Sequence, residues 1–396
     1  MMIGRRSTPY PMFKRLIVLS LAGLLLAALW WLTRPQASTP PAVIGNSSDI
    51  TGFARAFEPG AFQFPRDHGP HFDYQTEWWY YTGNLTAENG DHFGYQLTFF
   101  RRGLTPGAPV QRPSDFGTNQ IYFAHFAVTD VSREQHTFAE RFSRGAAGLA
   151  GASSGPQGPF TVWLEDWRVE ALNGDGSTVH LRARDGEQAL DLVLRTVKPV
   201  VAHGDYGLSR KSETPGNASY YVGFTRMDTL GEVTANDQTI AVSGASWFDH
   251  EWSTSALGEG IIGWNWFALQ LDDGREVMFY QFRQADGGIG ALSAGTLVEA
   301  DGSARPLRAS DVQIEAQSQW RSPETKGSYP ARWRILIPSA QIELNVTPWI
   351  AGQEMRVSFP YWEGAVRFTG VSRGAPVSGS GYIELTGYVS SMQGVF

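Results

Sequence analysis

Two acids and a histidine stand between aromatic residues in Trp247-Phe248-Asp249-His250-Glu251-Trp252. Carboxyl and imidazole groups are the usual proton donors and acceptors in catalysis. An acid held in an apolar cavity has its pKa raised and stays protonated near neutrality. In an extended chain Asp249 and Glu251 share one face, while His250 and Trp252 share the other. One pair is therefore expected to face a cavity and the other to act from behind it. Asp249, His250, Glu251 and Trp252 are the catalytic candidates. The alternative is a buried Asp-His pair that satisfies backbone groups at a barrel end.

A second segment, Asp73-Tyr74-Gln75-Thr76-Glu77-Trp78-Trp79-Tyr80-Tyr81, puts large rings on both faces of one strand. One face can be core and the other a pocket wall. Glu77 needs a partner if buried, and Arg101 and Arg283, each closing a hairpin, are the candidates. The expected pocket comprises Glu77, Trp78, Trp79, Tyr81, His125, Trp247, Trp264, Trp266 and Tyr280. For His125, in Ile121-Tyr122-Phe123-Ala124-His125-Phe126-Ala127, a hydrogen-bonded core position is the default.

Other chemistries are excluded or weak. With 0 cysteines the chain has no disulfide, thiolate nucleophile or Cys-based metal site. His68-Gly69-Pro70-His71, flanked by Asp67 and Asp73, lacks a third histidine nearby, and no metal is expected. Gly151-Ala152-Ser153-Ser154-Gly155 fits the serine-hydrolase spacing, but it sits in a small-residue loop without the strand and helix that the motif needs. A net charge of -7 without a basic run argues against nucleic acid as a partner.

The elements that must position these residues are strands. Phe93, Tyr95, Leu97 and Phe99 alternate with Gly94, Gln96 and Thr98. Ile342, Leu344 and Val346 alternate with Gln341, Glu343 and Asn345, and Ile383 and Leu385 with Tyr382, Glu384 and Thr386. Period-2 patterning marks half-buried antiparallel strands. Turn signals recur at Asn89-Gly90, Asp273-Gly274 and Asp301-Gly302. Apolar content of 42% and aromatic content of 13% suit a large β core. A faint repeat relates the Glu77-Trp78 hairpin, ending in Arg101, to a second one that runs from Glu251-Trp252 to Arg283. Arg5, Arg6, Lys14 and Arg15 precede an uncharged run from Leu16 to Leu32, with Trp30 and Trp31 at its end. This pattern predicts a signal peptide or uncleaved anchor over 1–34, with the rest free in the periplasm or anchored to the inner membrane facing the periplasm. A linker is expected over 35–54, one domain over 55–235 and a second over 236–396.

Longer strings carry a resemblance. Asp73 to Leu85, Ala124-His125-Phe126-Ala127, Lys198-Pro199, His203-Gly204-Asp205 and Ser219-Tyr220-Tyr221 resemble the AttH-like proteins, relatives of the carotenoid 1,2-hydratases (hydroxyneurosporene synthases). So do Ser246 to Trp252, Gly263-Trp264-Asn265-Trp266, Tyr361-Trp362-Glu363-Gly364 and Gly381 to Tyr388. The resemblance implies an all-β fold of two tandem lipocalin-like β-barrel or sandwich domains, with a ligand cavity at or between them. It implies an apolar isoprenoid or lipid ligand, no cofactor, and export beside an ABC transporter. Hydratase members add water to an isoprenoid double bond. His250 and Trp252 match their His-x-Trp pair, with roles in proton handling and cation stabilisation. Tyr280 falls near their Tyr-x-Asp acid pair, but Phe282 stands where the Asp belongs. Two functions follow as expectations: a hydratase acting by acid catalysis, or a non-catalytic lipid carrier or transporter accessory.

Overall fold

A computed structural model describes residues 50–396 apart from 110–112, 156–157, 256 and 396. The expected signal or anchor over 1–34, and most of the linker, lie outside the described residues.

The first sheet contains β1 (Thr76–Ala87), β2 (His92–Gly103), β3 (Gln120–Asp130), β4 (Gln135–Arg144), β5 (Ala150–Ser153), β6 (Thr161–Leu164), β7 (Trp167–Ala171), β8 (Thr178–Asp185), β9 (Gln188–Thr196), β10 (Val201–Ala202), β11 (Leu208–Arg210), β12 (Ala218–Ala235) and β13 (Gln238–Ser253). The second contains β14 (Ile261–Leu271), β15 (Glu276–Gln284), β16 (Ala294–Val298), β17 (Ala304–Arg308), β18 (Gln313–Arg321), β19 (Ser328–Ile337), β20 (Ile342–Pro348), β21 (Glu354–Met355), β22 (Tyr361–Ser372) and β23 (Ala375–Leu385). The all-β, lipocalin-like expectation holds: one sheet nearly closes into a barrel and the other forms a half-barrel.

In both sheets the first strand lies between the second and the last, so β1 pairs with β2 and β13, and β14 with β15 and β23. The hairpins β1–β2 and β14–β15 thus hold equivalent places. Glu251-Trp252 does not open the second unit, however. It lies on β13, with Trp252 directly opposite Glu77 on β1. The expected division at residues 235/236 falls in the turn between β12 and β13 of the first sheet. Asn236 and Asp237 both have positive φ (51° and 59°), the signature of a two-residue type I′ turn, and such a turn joins strands that pair with each other. The chain leaves the first sheet only after Ser253.

Each sheet encloses its own core: Trp79, Tyr81, Tyr95, Phe99 and Leu192 in the first, Phe267, Leu269, Trp333 and Trp362 in the second. A third cluster, including Tyr80, Trp247, Trp266, Met278 and Tyr382, fills the joint between the sheets. Strands at this joint are apolar on both faces, which is why Trp78 to Tyr81 is an unbroken aromatic run rather than an alternating one.

Polar contacts lock one end of the joint. Gln270 donates to the carbonyls of Thr225 (2.8 Å) and Ser246 (3.0 Å), and Asn84 to that of Gly381 (2.9 Å). Buried Glu276 receives Lys198 Nζ at 2.7 Å and Arg226 Nε at 2.6 Å. A break in register on β12 between Phe224 and Met227, a bulge, carries Arg226. Here the sheets touch at Gly94, where an added Cβ would lie 2.5 Å from that of Ala365. Toward the other end of the same strands a cavity opens.

Candidate functional site

The cavity measures about 140 Å³ as reached by the centre of a water molecule, and it lies between the outward faces of the two sheets. Trp78 and Tyr80 on β1, Tyr221 on β12, and Asp249 and Glu251 on β13 form one wall. Trp264 and Trp266 on β14, Tyr280 and Phe282 on β15, Tyr361 on β22 and Glu384 on β23 form the other. The lumen of the first barrel is filled by its own side chains, with room near His68 and Phe248 for only about 10 Å³. The site is thus a joint between barrels rather than a barrel mouth.

Strand alternation divides the predicted residues. Asp249, Glu251, Trp78, Trp264, Trp266 and Tyr280 line the cavity. Trp79 and Tyr81 belong to the first core. Trp247 packs beside the cavity and donates its indole N–H to Asp249 Oδ1 at 2.8 Å. His125 lies behind Tyr361, with Nδ1 2.8 Å from the Tyr361 hydroxyl and Nε2 2.9 Å from Glu140. Glu77, His250 and Trp252 point away from the cavity, because their parity on β1 and β13 is that of the barrel interior.

Those three form a network instead. Arg101 Nε donates to Glu77 Oε2 at 2.8 Å, while His71 Nδ1 and His250 Nε2 lie 2.8 Å and 2.9 Å from Glu77 Oε1. The ring of His71 stacks on Trp252 with centroids 3.7 Å apart. Burial pushes the Glu77 carboxyl up, but the Arg101 charge and the two histidine contacts outweigh it and hold it well below the usual range. Of the two expected partners, Arg101 is the one; Arg283 lies over Tyr388 and donates to the Thr386 carbonyl. Ligand atoms of His71, Glu77 and His250 converge within 4.8 Å, in principle a cation site. Both rings already share one carboxylate oxygen, though, and the Arg101 guanidinium supplies the positive charge a metal would bring. The trio is best read as a brace that fixes β13 against β1.

The acids facing the cavity differ sharply. Glu251 is ion-paired with Lys211 at 2.5 Å and accepts the Ser219 hydroxyl. Asp249 has no such cation. Its Oδ2 lies 2.5 Å from the Tyr221 hydroxyl, which accepts the Trp266 indole N–H at 3.0 Å. His203 Nε2 stands 3.7 Å from Asp249 Oδ1, but burial pushes the imidazole down to about 3, so it is neutral. Burial drives Asp249 up to about 8, against the lowering effect of its hydrogen bonds from Tyr221 and Trp247. On the facing wall burial raises Glu384 to about 7, and Glu363 behind it, next to Glu384, is held well above the usual range.

Gly223 lies directly opposite Asp249 on β12. A Cβ there would fall 2.5 Å from Asp249 Oδ1 and 3.1 Å from His203 Nε2. Gly223→Ala is expected to displace the Asp249 carboxyl and to destabilise the fold by about 1–3 kcal/mol, as overpacking does. Urea unfolding checks the second effect; an unchanged stability would show that the carboxyl moves freely.

Sequence reasoning missed Tyr80, Tyr221, Tyr361, Lys211, Glu363 and Glu384. Alternation puts Glu384 on the face of its strand opposite Ile383 and Leu385 and does not mark it as a site residue. The available signal was Tyr382 on that same face, an aromatic where a solvated strand would carry polar side chains.

Comparisons with known proteins agree with this architecture. A family model described as AttH-like matches residues 55–388. The crystal structure of an AttH protein from Nitrosomonas europaea is 32% identical, covers 85% of this chain and 100% of its own, and superposes with a TM-score of 0.75. Kievitone hydratase from Nectria haematococca is similar in fold at 15% identity, covering 86% and 98% of the two chains, with a TM-score of 0.63. CghA, in complex with Sch210972, follows at 14% identity over 79% and 89%, with a TM-score of 0.50. No curated protein sequence matches the chain.

Proposed function

The chain belongs to the AttH-like family, and on that footing we propose that the cavity between its sheets is the active site of a cofactor-independent hydratase or lyase acting on a C=C bond of an apolar isoprenoid or lipid. The observation that carries this reading is Asp249: a carboxyl protonated near neutrality, with no lysine or arginine against it, in an aromatic-lined cavity.

Protonating an alkene needs a desolvated acid, and the cation formed needs aromatic surroundings and then water guided by a base. Asp249, directly or through the Tyr221 hydroxyl, gives its proton to one alkene carbon, and the π pair becomes the new C–H bond. The neighbouring carbon is left cationic among Trp78, Trp264 and Trp266. A water lone pair closes the C–O bond, and the water's proton passes to Glu384. Solvent exchange then returns a proton to Asp249. Asp249 takes the place of the acid that Phe282 leaves missing. His250 and Trp252 serve as positioning residues through Glu77.

Activity is expected to rise as Glu384 ionises near pH 7 and to fall as Asp249 ionises near pH 8, a narrow bell with its maximum between them. A profile that falls steadily from pH 5 would contradict the assignment. The deciding experiment incubates lipids co-purified from the native host in ¹⁸O water. Label in the product supports hydration. Tight binding without label supports the carrier reading instead, in which the protein serves an ABC transporter in the inner membrane. The apolar run Leu16 to Leu32 supports export to the periplasm under either outcome.

A further inference from the structure

Three buried glutamates in this protein have cationic partners: Glu77 has Arg101, Glu251 has Lys211, and Glu276 has Lys198 and Arg226. Glu363 and Glu384 are built differently. They sit directly opposite each other on β22 and β23, and burial together with the Glu384 charge holds the Glu363 carboxyl well above the usual range. The Tyr80 hydroxyl donates to Glu363 Oε1 at 2.6 Å, and the Trp264 indole N–H donates to Glu384 Oε1. Among the described residues neither glutamate has a lysine or arginine partner.

Two buried carboxyls on directly opposite residues favour a single charge until a cation arrives, because each charge opposes ionisation of the other. Here the missing cation has a place to sit. Glu384 faces a cavity lined by Trp78, Trp264, Trp266, Tyr80 and Tyr280. Aromatic rings around an acidic group recognise quaternary and tertiary ammonium groups. The volume, about 140 Å³, resembles that of an engineered cavity of about 150 Å³ that admits benzene, so a single ring or one trimethylammonium head fits.

We infer that the cavity is a receptor for a hydrophobic organic cation, with the Glu363–Glu384 pair as its counter-ion. This goes beyond the proposed reaction and does not need turnover. The titratable groups facing the pair are Tyr80, Asp249, Glu251, Tyr361 and Tyr382, with Lys211 already engaged by Glu251. Glu384 ionises at lower pH than Asp249, so a cation entering at neutral pH draws its compensating charge first from the glutamate pair, and binding releases a proton.

The test compares choline with its uncharged isostere, 3,3-dimethylbutan-1-ol, by calorimetry on the full chain. The cation should bind about tenfold more tightly at pH 8, weaken toward pH 5.5, and release a proton near pH 7. Glu363→Gln/Glu384→Gln should lose this preference and keep the affinity for 3,3-dimethylbutan-1-ol, which also reports that the cavity is intact. Equal affinities for the two probes, with no proton release, overturn the inference. So does a cation preference that survives in the double variant. Neither result bears on ¹⁸O incorporation, so the two proposals fail separately.

Discussion

Asp249→Asn is expected to lower ¹⁸O incorporation by about 10²–10⁴-fold, the usual share of a general acid, and at the same time to make the protein more stable. Asp249 has a folded pKa of about 8 against an ordinary 3.8. A raised pKa contributes stability below the ordinary value, and that contribution is lost as pH rises toward the folded one. At pH 7 folding must therefore take up a proton that the unfolded chain has released. Each unit of separation is worth about 1.4 kcal/mol. Asparagine takes up none, and its amide can keep the Trp247 and Tyr221 contacts, though one N–H left unpaired would cost about 1–3 kcal/mol. The variant should gain about 2 kcal/mol at neutral pH, and the gain should grow from pH 4 to pH 8. Urea unfolding across that range reads it. A variant that is less stable at every pH, or that keeps full activity, would sink the assignment of Asp249 as a protonated acid.

Arg101→Met should produce the largest loss of stability. The guanidinium is fully buried and holds Glu77 Oε2, Gln120 Oε1, and the carbonyls of His71 and Tyr74, each at 2.8–2.9 Å. Methionine fills similar volume but leaves a buried carboxylate facing two imidazoles, and breaking such a pair costs about 3–5 kcal/mol. The sign of the pH dependence follows from Glu77. Its folded pKa is depressed, so its contribution is present above the ordinary 4.5 and is lost as pH falls through the folded value. The gap between native protein and variant should therefore narrow below about pH 4.5. Glu77→Gln/Arg101→Met should recover part of the loss, since no charge is then stranded. If Arg101→Met costs no more than a surface substitution, the brace between β1 and β13 is not what fixes the Asp249 strand.

The division between what the chain spelled out and what folding decided runs along strand parity. Alternation in Phe93 to Phe99 and in Ile342 to Val346 identified strands, because a half-buried strand cannot avoid a two-residue period. The segments that build the site were also visible: acids among aromatics at Asp249-His250-Glu251 and the ring-rich run at Trp78 to Tyr81 are costly arrangements without a specific environment. The split of Asp249 and Glu251 from His250 and Trp252 follows from the same period.

Which face met the cavity was not written in the sequence. A strand buried on both sides looks apolar throughout, so nothing local said that His250 would turn inward to Glu77 while Asp249 met the second sheet. Partnerships between residues far apart in the chain were equally hidden. Lys211 reaches Glu251 from the loop after β11, and Glu384 reaches Trp264 across 120 residues. Such contacts depend on which distant strands lie side by side and in what register, and only the tertiary structure brings them together. For the charged segment that opened the sequence reading, the chain alone determined that its carboxyls needed special surroundings. The joint between the sheets decided which of them, Asp249, stays protonated there.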